Sequence, residues 1–298
     1  NILLDKLYLK GLHISKAVTL GNRIDVDEIE ILNYLHKDPK TKMVMMYLEG
    51  AAHGRRLREA LTRISRDKPV LVLKSGRTAR GREATASHTG SLSGEDSLYG
   101  GMLTQTGVTR AGTLHELVEF TRVFSSQPLP EGPHLGIVTG SGSLGALSTD
   151  MAVTSGLHVP QPSTETVIEV KKSAPDWMNV KNPLDVGPSG LLKEAMTAMV
   201  KDPEIHMVMV ILTIPHAIFR KFTAMGMDLK EWFGDIAAIR KLSPKKPFVA
   251  CVVGHEEFSD HVAHMAGPGI PVMDSPEMTV RALSALWRYS KWKSRTSA

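Results

Sequence analysis

Lys68-Pro-Val-Leu-Val-Leu-Lys-Ser-Gly-Arg77 is followed by Thr78-Ala-Arg-Gly-Arg-Glu-Ala-Thr-Ala-Ser-His-Thr-Gly-Ser-Leu-Ser-Gly94. The apolar run Pro69–Leu73 predicts a buried strand. From Lys74 to Gly94 the chain turns small and polar, with four basic side chains (Lys74, Arg77, Arg80, Arg82) and one histidine, His88. This reads as a long polar loop set on a rigid strand, a common seat of function. Ser93, three residues before Asp96, predicts the N-cap of the next helix. His88 stands between Ser87 and Thr89-Gly90, so little bulk shields its imidazole. Arginines and free backbone N–H groups nearby suit a phosphate. Two readings stand side by side: a nucleophile that carries a phosphoryl group, and an incidental histidine in a solvated loop.

Outward from this stretch, strands and helices alternate. Residues 1–10 read as the end of an amphipathic helix, Gly11–Gly21 as a turn and a short strand, and 27–37 as a helix stopped by Lys37-Asp-Pro39. Met43–Leu48 reads as a buried strand ending at Glu49-Gly50, and 54–66 as a basic helix. A helix over about 95–106, an edge strand at Gly107-Val-Thr-Arg and a helix over 113–125 follow. The last should turn Leu114, Leu117, Phe120 and Val123 or Phe124 inward. Ser125–Pro133 has linker composition.

The pattern then begins again. Gly156-Leu-His158 echoes Gly11-Leu-His13, and Lys201-Asp-Pro203 echoes Lys37-Asp-Pro39. His206–Ile211 echoes Lys42–Tyr47, Lys246-Pro echoes Lys68-Pro, and Gly269-Ile with a terminal helix (276–292) echoes Gly107-Val with helix 113–125. Five landmarks in the same order are a repeat. Each half is therefore expected to be a doubly wound α/β domain with a mainly parallel sheet, over 1–127 and 131–298. The second half opens with a strand and a glycine-rich turn (134–145) that the first lacks, and no initiator Met is present. The chain is thus expected to begin inside its first domain. Pro69 to Gly107 spans 38 residues and Pro247 to Gly269 spans 22, so the 16 extra residues fall in the segment carrying His88.

Apolar residues make up 42% and charged residues 22%, an ordinary globular balance, and no run of eighteen apolar residues exists. A membrane span is not expected. The net charge of +5 is scattered and aromatics are 5%, so no nucleic-acid surface is expected. The single cysteine, Cys251, excludes an internal disulfide framework and suits a reducing cytoplasm.

The chain resembles, over its whole length, the ADP-forming acyl-CoA synthetases, relatives of succinyl-CoA synthetase. The most specific matches are Lys68–Arg77, Ala86-Ser-His-Thr-Gly-Ser-Leu92 and Asn182-Pro-Leu-Asp-Val186. The resemblance implies two flavodoxin-like domains. Full-length members also carry a CoA-binding domain and an ATP-grasp domain, the latter fused or on a partner subunit. It further implies that His88 is phosphorylated and that Glu49 is its acidic partner. In the family, acyl-CoA and phosphate give an acyl phosphate and CoA; the imidazole takes the phosphoryl group and a nucleoside diphosphate collects it. A ring nitrogen attacks only as the unprotonated tautomer, which a carboxylate on the other N–H would hold.

A phosphoryl group carries about −2 charge, and one helix N-terminus contributes about 0.3–1 kcal/mol at a surface. Several donors must therefore converge. The resemblance supplies them from Ser87, Thr89 and Gly90, from the glycine-rich turn Gly140-Ser141-Gly142-Ser143, and from Thr213-Ile-Pro-His216 before a helix at 217–224. The turn departs from the family's usual Asn-Ala-Gly-Gly-Pro-Gly form, which leaves the acyl group open. CoA, ATP or ADP and Mg2+ are expected on the other domains of the intact enzyme, with none firmly bound to this stretch alone. Expected partners are those domains, a small carboxylic acid or acyl-CoA, and further copies in an oligomer.

His255-Glu-Glu-x3-His261-x2-His264 has metal-type residues without the His-Glu-x-x-His spacing, and reads as a solvated helix face; no metal is expected. Trp287, Tyr289 and Trp292 read as packing residues. Two rivals remain: a non-catalytic synthetase-like regulatory module, as found fused to protein acetyltransferases, and a flavin or dinucleotide binder. The second lacks a Gly-x-Gly-x-x-Gly followed by an acidic residue.

Overall fold

The computed structural model describes residues 2–21, 23, 25–89 and 95–297, with the side chains of residues 2, 86–89, 231, 232 and 297 outside that description. The chain divides into two compact units, Asn1–Ser125 with Arg288–Ala298, and Ser126–Trp287.

In the first unit, β1 (Val44–Leu48), β2 (Val70–Lys74) and β3 (Thr109–Ala111) form a parallel sheet in the order β1-β2-β3. The helices are α1 (Ile2–Leu9), α2 (Glu28–Lys37), α3 (Gly54–Asp67), α4 (Ala79–Thr89), α5 (Asp96–Gln105) and α6 (Leu114–Ser126). A capping box sets the start of α2: Asp27 accepts from the N–H of Glu30, whose carboxylate accepts from the N–H of Asp27. In α3 the buried Leu57, Ala60, Leu61 and Ile64 recur at helical spacing and pack with Val70 and Val72 of β2, while the arginines face solvent.

Four expectations for this unit are corrected. No strand forms among the described residues of 11–21; Ile14 and Val18 are exposed, and without a partner strand their alternation buries nothing. The polar stretch after β2 is largely helical, as α4. Thr78 Oγ1 accepts from the N–H of Gly81 at 3.0 Å and so caps a run of Ala, Arg and Glu, which are strong helix formers. Helix α5 has Glu95 at its N-cap rather than Ser93, which lies outside the described residues. In α6, Leu117, Phe120, Val123 and Phe124 are buried as expected, whereas Leu114 is exposed.

The second unit holds β4 (Leu135–Thr139), β5 (Leu184–Asp185), β6 (Met207–Leu212), β7 (Phe248–Val252) and β8 (Val272–Met273), all parallel in the order β5-β4-β6-β7-β8. Counted within the unit this is the 2-1-3-4-5 order of flavodoxin-like sheets. Its helices are α7 (Gly142–Thr154), α8 (Thr164–Lys171), α9 (Leu192–Lys201), α10 (His216–Ala224), α11 (Leu229–Phe233), α12 (Ile236–Lys241), α13 (Glu256–Ala266) and α14 (Pro276–Ser297). Every residue of β4, β6 and β7 is buried, as a sheet covered on both faces requires. The stretch with linker composition is anchored here: Gln127 is buried, donates to the Gly269 carbonyl at 2.8 Å and accepts from the Phe248 N–H at 2.8 Å.

The sequence echoes recur as identical contacts. Lys68 donates to the carbonyls of Leu35 and Asp38 (2.8 and 2.7 Å) at the end of α2, and Lys246 donates to those of Val200 and Asp202 (2.8 and 2.7 Å) at the end of α9. Each lysine satisfies the open carbonyls of a helix C-terminus with positive charge. Gly11 and Gly156 both adopt positive φ (73° and 82°), and the N–H of the following leucine returns to the helix just ended.

The end of α14 departs from its expected place in the second domain. From Arg288 onward it belongs to the first unit: Tyr289 donates to the Ser65 carbonyl at 2.9 Å and packs against the Phe124 ring, and Trp292 donates to the Gln105 carbonyl at 3.0 Å. Burial of the tyrosine and hydrogen bonding of both polar tips outweigh sequence order.

Candidate functional site

In the first unit, Leu48 and Lys74 are partners in the β1–β2 register, and the Ser75 N–H extends the pairing to the Leu48 carbonyl at 3.0 Å. Parallel strands therefore open their carboxyl ends on one rim, where ligands of open α/β sheets bind. Glu49 follows β1 directly and is half-buried. The turn it stands in is held from two sides: Arg23 donates to the Gly50 carbonyl at 2.6 Å, and the Tyr99 hydroxyl accepts from the Ala51 N–H at 2.9 Å. Among the described residues no cation lies within ion-pair distance of Glu49.

Sequence reasoning noticed Lys74 only as one of four basic residues. It closes the otherwise apolar β2, and its side chain is 2% exposed. The ammonium donates to the Ser75 carbonyl and lies over the Tyr99 ring, 4.8 Å from its centroid. Burial pushes its pKa down, opposed by the charges of Asp96 and Glu49. The available signal was a lysine at a position where the pattern called for an apolar residue. The other three basic residues point elsewhere: Arg77 lies 3.8 Å from Asp96, Arg80 pairs with Glu83 at 2.9 Å, and Arg82 lies 3.6 Å from Glu95.

Ser87, His88 and Thr89 lie at the end of α4, with side chains outside the described residues; Gly90 lies outside them altogether. The histidine thus stands on a helix end rather than at the tip of an open loop.

In the second unit, the order of the sheet reverses between β4 and β6, which makes their carboxyl ends the topological switch point. Gly140, Ser141, Gly142 and Ser143 follow β4; Thr213 and His216 follow β6. Gly140, Gly142, Ser143, Thr213 and His216 are exposed and Ser141 is half-buried. Thr139 Oγ1 accepts from the Ser141 N–H at 3.0 Å, and the Ser141 and Ser143 hydroxyls lie 3.2 Å apart. Ser141 makes no side-chain cap, so the first N–H groups of α7 stay open. Gly142 is required by packing, because a Cβ there would stand 2.8 Å from Asp185 Oδ2, whose other oxygen accepts from the Gly187 N–H at 3.0 Å. Asn182 is structural: buried, it accepts from the Ile137 N–H (3.0 Å) and donates to the carbonyls of Leu135 and Pro160 (2.8 and 2.9 Å).

His216 and His255 meet edge to face, with ring centroids 4.5 Å apart, and with Glu257 they form the one described group of three that could hold a metal ion. This differs from the sequence cluster of His255, His261 and His264. His255 Nδ1 accepts from the Phe258 N–H at 3.3 Å, so the neutral ring carries its proton on Nε2. That buried Nε2 has no hydrogen-bond partner among the described residues. It offers a donor rather than a lone pair, which suits an anion better than a cation.

Residues 1–124 match the family model described as the succinyl-CoA ligase like flavodoxin domain. The alpha subunit of acetate–CoA ligase [ADP-forming] I from Pyrococcus furiosus is 33% identical over 294 residues, covering 96% of this chain and 61% of that subunit. Acetate–CoA ligase [ADP-forming] II from Archaeoglobus fulgidus is 32% identical over 285 residues, covering 93% of this chain and 40% of that protein. The solved structure of a dinucleotide-forming acetyl-coenzyme A synthetase 1 from Ca. Korarchaeum cryptofilum, in complex with phosphate and ADP, superposes with a TM-score of 0.88 at 28% identity, covering all of this chain and 64% of that one. The chain thus spans less than two thirds of the length of these relatives.

Proposed function

Since this chain belongs to the ADP-forming acyl-CoA synthetase family, we propose that it forms the phosphoryl-handling part of an acid–CoA ligase. The reaction interconverts acyl-CoA, ADP and phosphate with a carboxylic acid, CoA and ATP. Phosphate oxygen attacks the thioester carbonyl; the C–S bond breaks and CoA leaves as the thiol. An imidazole nitrogen of His88 then attacks the phosphorus of the acyl phosphate, and the P–O bond to the acid breaks. ADP oxygen finally takes the phosphoryl group from nitrogen, restoring the ring. Glu49 is assigned to the opposite ring N–H, holding the attacking nitrogen as a bare lone pair and stabilising the imidazolium character that develops. Ser87, Thr89 and Gly90 are assigned to the phosphoryl oxygens.

The observation that carries this reading is the placement of Glu49 at the carboxyl end of β1, in register with the β2 end from which the chain runs on into α4 and His88. In the second unit the open N–H groups of α7 at Gly142 and Ser143, and the start of α10 at His216 after Thr213, flank the switch point and suit the oxygens of an acyl phosphate. CoA, nucleotide and Mg2+ are assigned to CoA-binding and ATP-grasp domains, fused or on a partner subunit, in a cytoplasmic enzyme. The His216, His255 and Glu257 group does not fit Mg2+, which takes oxygen ligands.

The test is phosphorylation of the intact synthetase by ATP labelled at the γ position. Acid-labile, base-stable label on His88, lost in His88→Ala, is expected; label retained in His88→Ala would remove His88 from the mechanism.

A further inference from the structure

We propose that His206 is an acid-sensitive latch on β4: its neutral imidazole accepts the backbone N–H at the start of this strand, and a proton on that nitrogen releases it. The latch is separate from the chemistry assigned to His88 and Glu49.

Three histidines meet at the amino end of the second sheet. His134 immediately precedes β4, His206 precedes β6, and His158 pairs with His134 in an isolated parallel bridge. The His134 and His206 rings stack with centroids 4.4 Å apart, and the His158 ring lies 5.8 Å from that of His134. The partners fix the tautomers. His134 Nδ1 faces the Glu204 carbonyl at 2.8 Å; a carbonyl only accepts, so Nδ1 carries the proton. His206 Nδ1 accepts from the His134 N–H at 3.2 Å, so the neutral ring has its proton on Nε2. His134 can therefore take a second proton on Nε2 and keep its bond. His206 can take one only at the nitrogen already in use.

The His206 ring has no room to adjust. One neighbour is the His134 ring, and its Nδ1–Cε1 edge lies against the buried Gly132, where a Cβ would stand 2.3 Å from Nδ1 and 2.4 Å from Cε1. A hydrogen on Nδ1 would meet that of the His134 N–H, so the charged ring must leave this slot. The N–H then loses its acceptor, at the start of the strand whose other end carries the Gly140–Ser143 turn. The titratable groups around His206 come from each neighbouring segment: His134 and Glu131 before β4, Glu204 before β6, Lys246 before β7, and His158 beyond His134. Lys246 is fixed there by the carbonyls of Val200 and Asp202. Burial, then His134 and Lys246, push the His206 pKa below its ordinary 6.5, against Glu131 and Glu204. A base with a lowered folded pKa binds fewer protons in the folded state. Its contribution is therefore present above 6.5 and is lost as pH falls below that value.

The experiment is hydrogen–deuterium exchange of the intact synthetase, read by mass spectrometry between about pH 7.5 and about pH 5 and corrected for intrinsic rates. It compares the parent with His206→Asn and Gly132→Ala. Asparagine places Oδ1 where Nδ1 stands and does not titrate. In the parent, amide protection over residues 131–136 should fall as pH drops below 6.5, by up to about tenfold per pH unit, while residues 208–212 keep theirs. His206→Asn should match the parent near neutral pH and lack this fall. Slow exchange at the imidazole Cε1–H should give His206 a midpoint below 6.5 in the parent, and Gly132→Ala, which crowds the ring out of its slot, should return that midpoint toward 6.5. Protection that does not change with pH in the parent, or that falls equally in His206→Asn, overturns the proposal. A parent His206 midpoint at or above 6.5 also overturns it, and this measurement stands even where His206→Asn folds poorly.

Discussion

Glu49 owes its position to neighbours that bond its turn through the backbone, Arg23 at Gly50 and Tyr99 at Ala51. Replacing the carboxylate by an amide keeps this framework and changes only the partner offered to the imidazole. Glu49→Gln should therefore slow phosphorylation of the intact enzyme on the order of a hundredfold with an unaltered melt; an equal rate in a single-turnover labelling experiment would exclude the assigned role. At this scale the sequence was only partly legible. Glu49 was reached through resemblance, since a glutamate after a strand is ordinarily a solvated strand end. Lys74 interrupts an apolar strand pattern, but whether its charged head is buried is decided by the packed neighbours, so the residue order marked the position without giving its burial.

Among the elements, α4 is misread, as is the strand expected within 11–21. The small and basic residues of α4 resemble a loop in composition, but Ala, Arg and Glu favour helix once Thr78 caps the first turn. Thr78→Ala should destabilise α4 by about 1 kcal/mol, visible as faster amide exchange over residues 79–85 with little change elsewhere; uniform protection would contradict the capping role. The C-cap of α2 gives a pH test. Asp38 is held at about 2 by the hydrogen bond from Lys16 at 2.7 Å and then by that from Thr41. Its folded pKa lies below the ordinary value of 3.8, so its contribution is present above that value and is lost as pH falls toward about 2. Acid melts of Asp38→Asn should lack this component of the parent's loss between about pH 4 and 2.

For the whole molecule, the repeat predicted two units of related design, and the paired lysines Lys68 and Lys246 make the same contacts in each. It did not predict that the last helix is shared between them. A chain ending at Trp287 loses the Tyr289 bond to Ser65 and the ring packing on Phe124, both internal to the first unit. That chain should melt at lower temperature through its first unit. Cys251 reports separately on the second: burial pushes its thiol up to about 12, so it should resist thiol reagents near pH 8 until that unit unfolds. A truncated chain whose Cys251 becomes reactive in step with loss of the first unit would show that the two do not unfold independently.

The sequence by itself determined the alternation of strands and helices, the repeat, the parallel sheets and the resemblance that singled out His88 and Glu49. Each of these is written in short-range periodicity or in residue types at set spacing. Tertiary structure alone decided which unit claims residues 288–297, that the stretch 11–21 pairs with no described strand, and that the ammonium of Lys74 is closed off from water. Those outcomes depend on surfaces and charges brought together by folding from positions far apart in the chain, where local pattern carries no information.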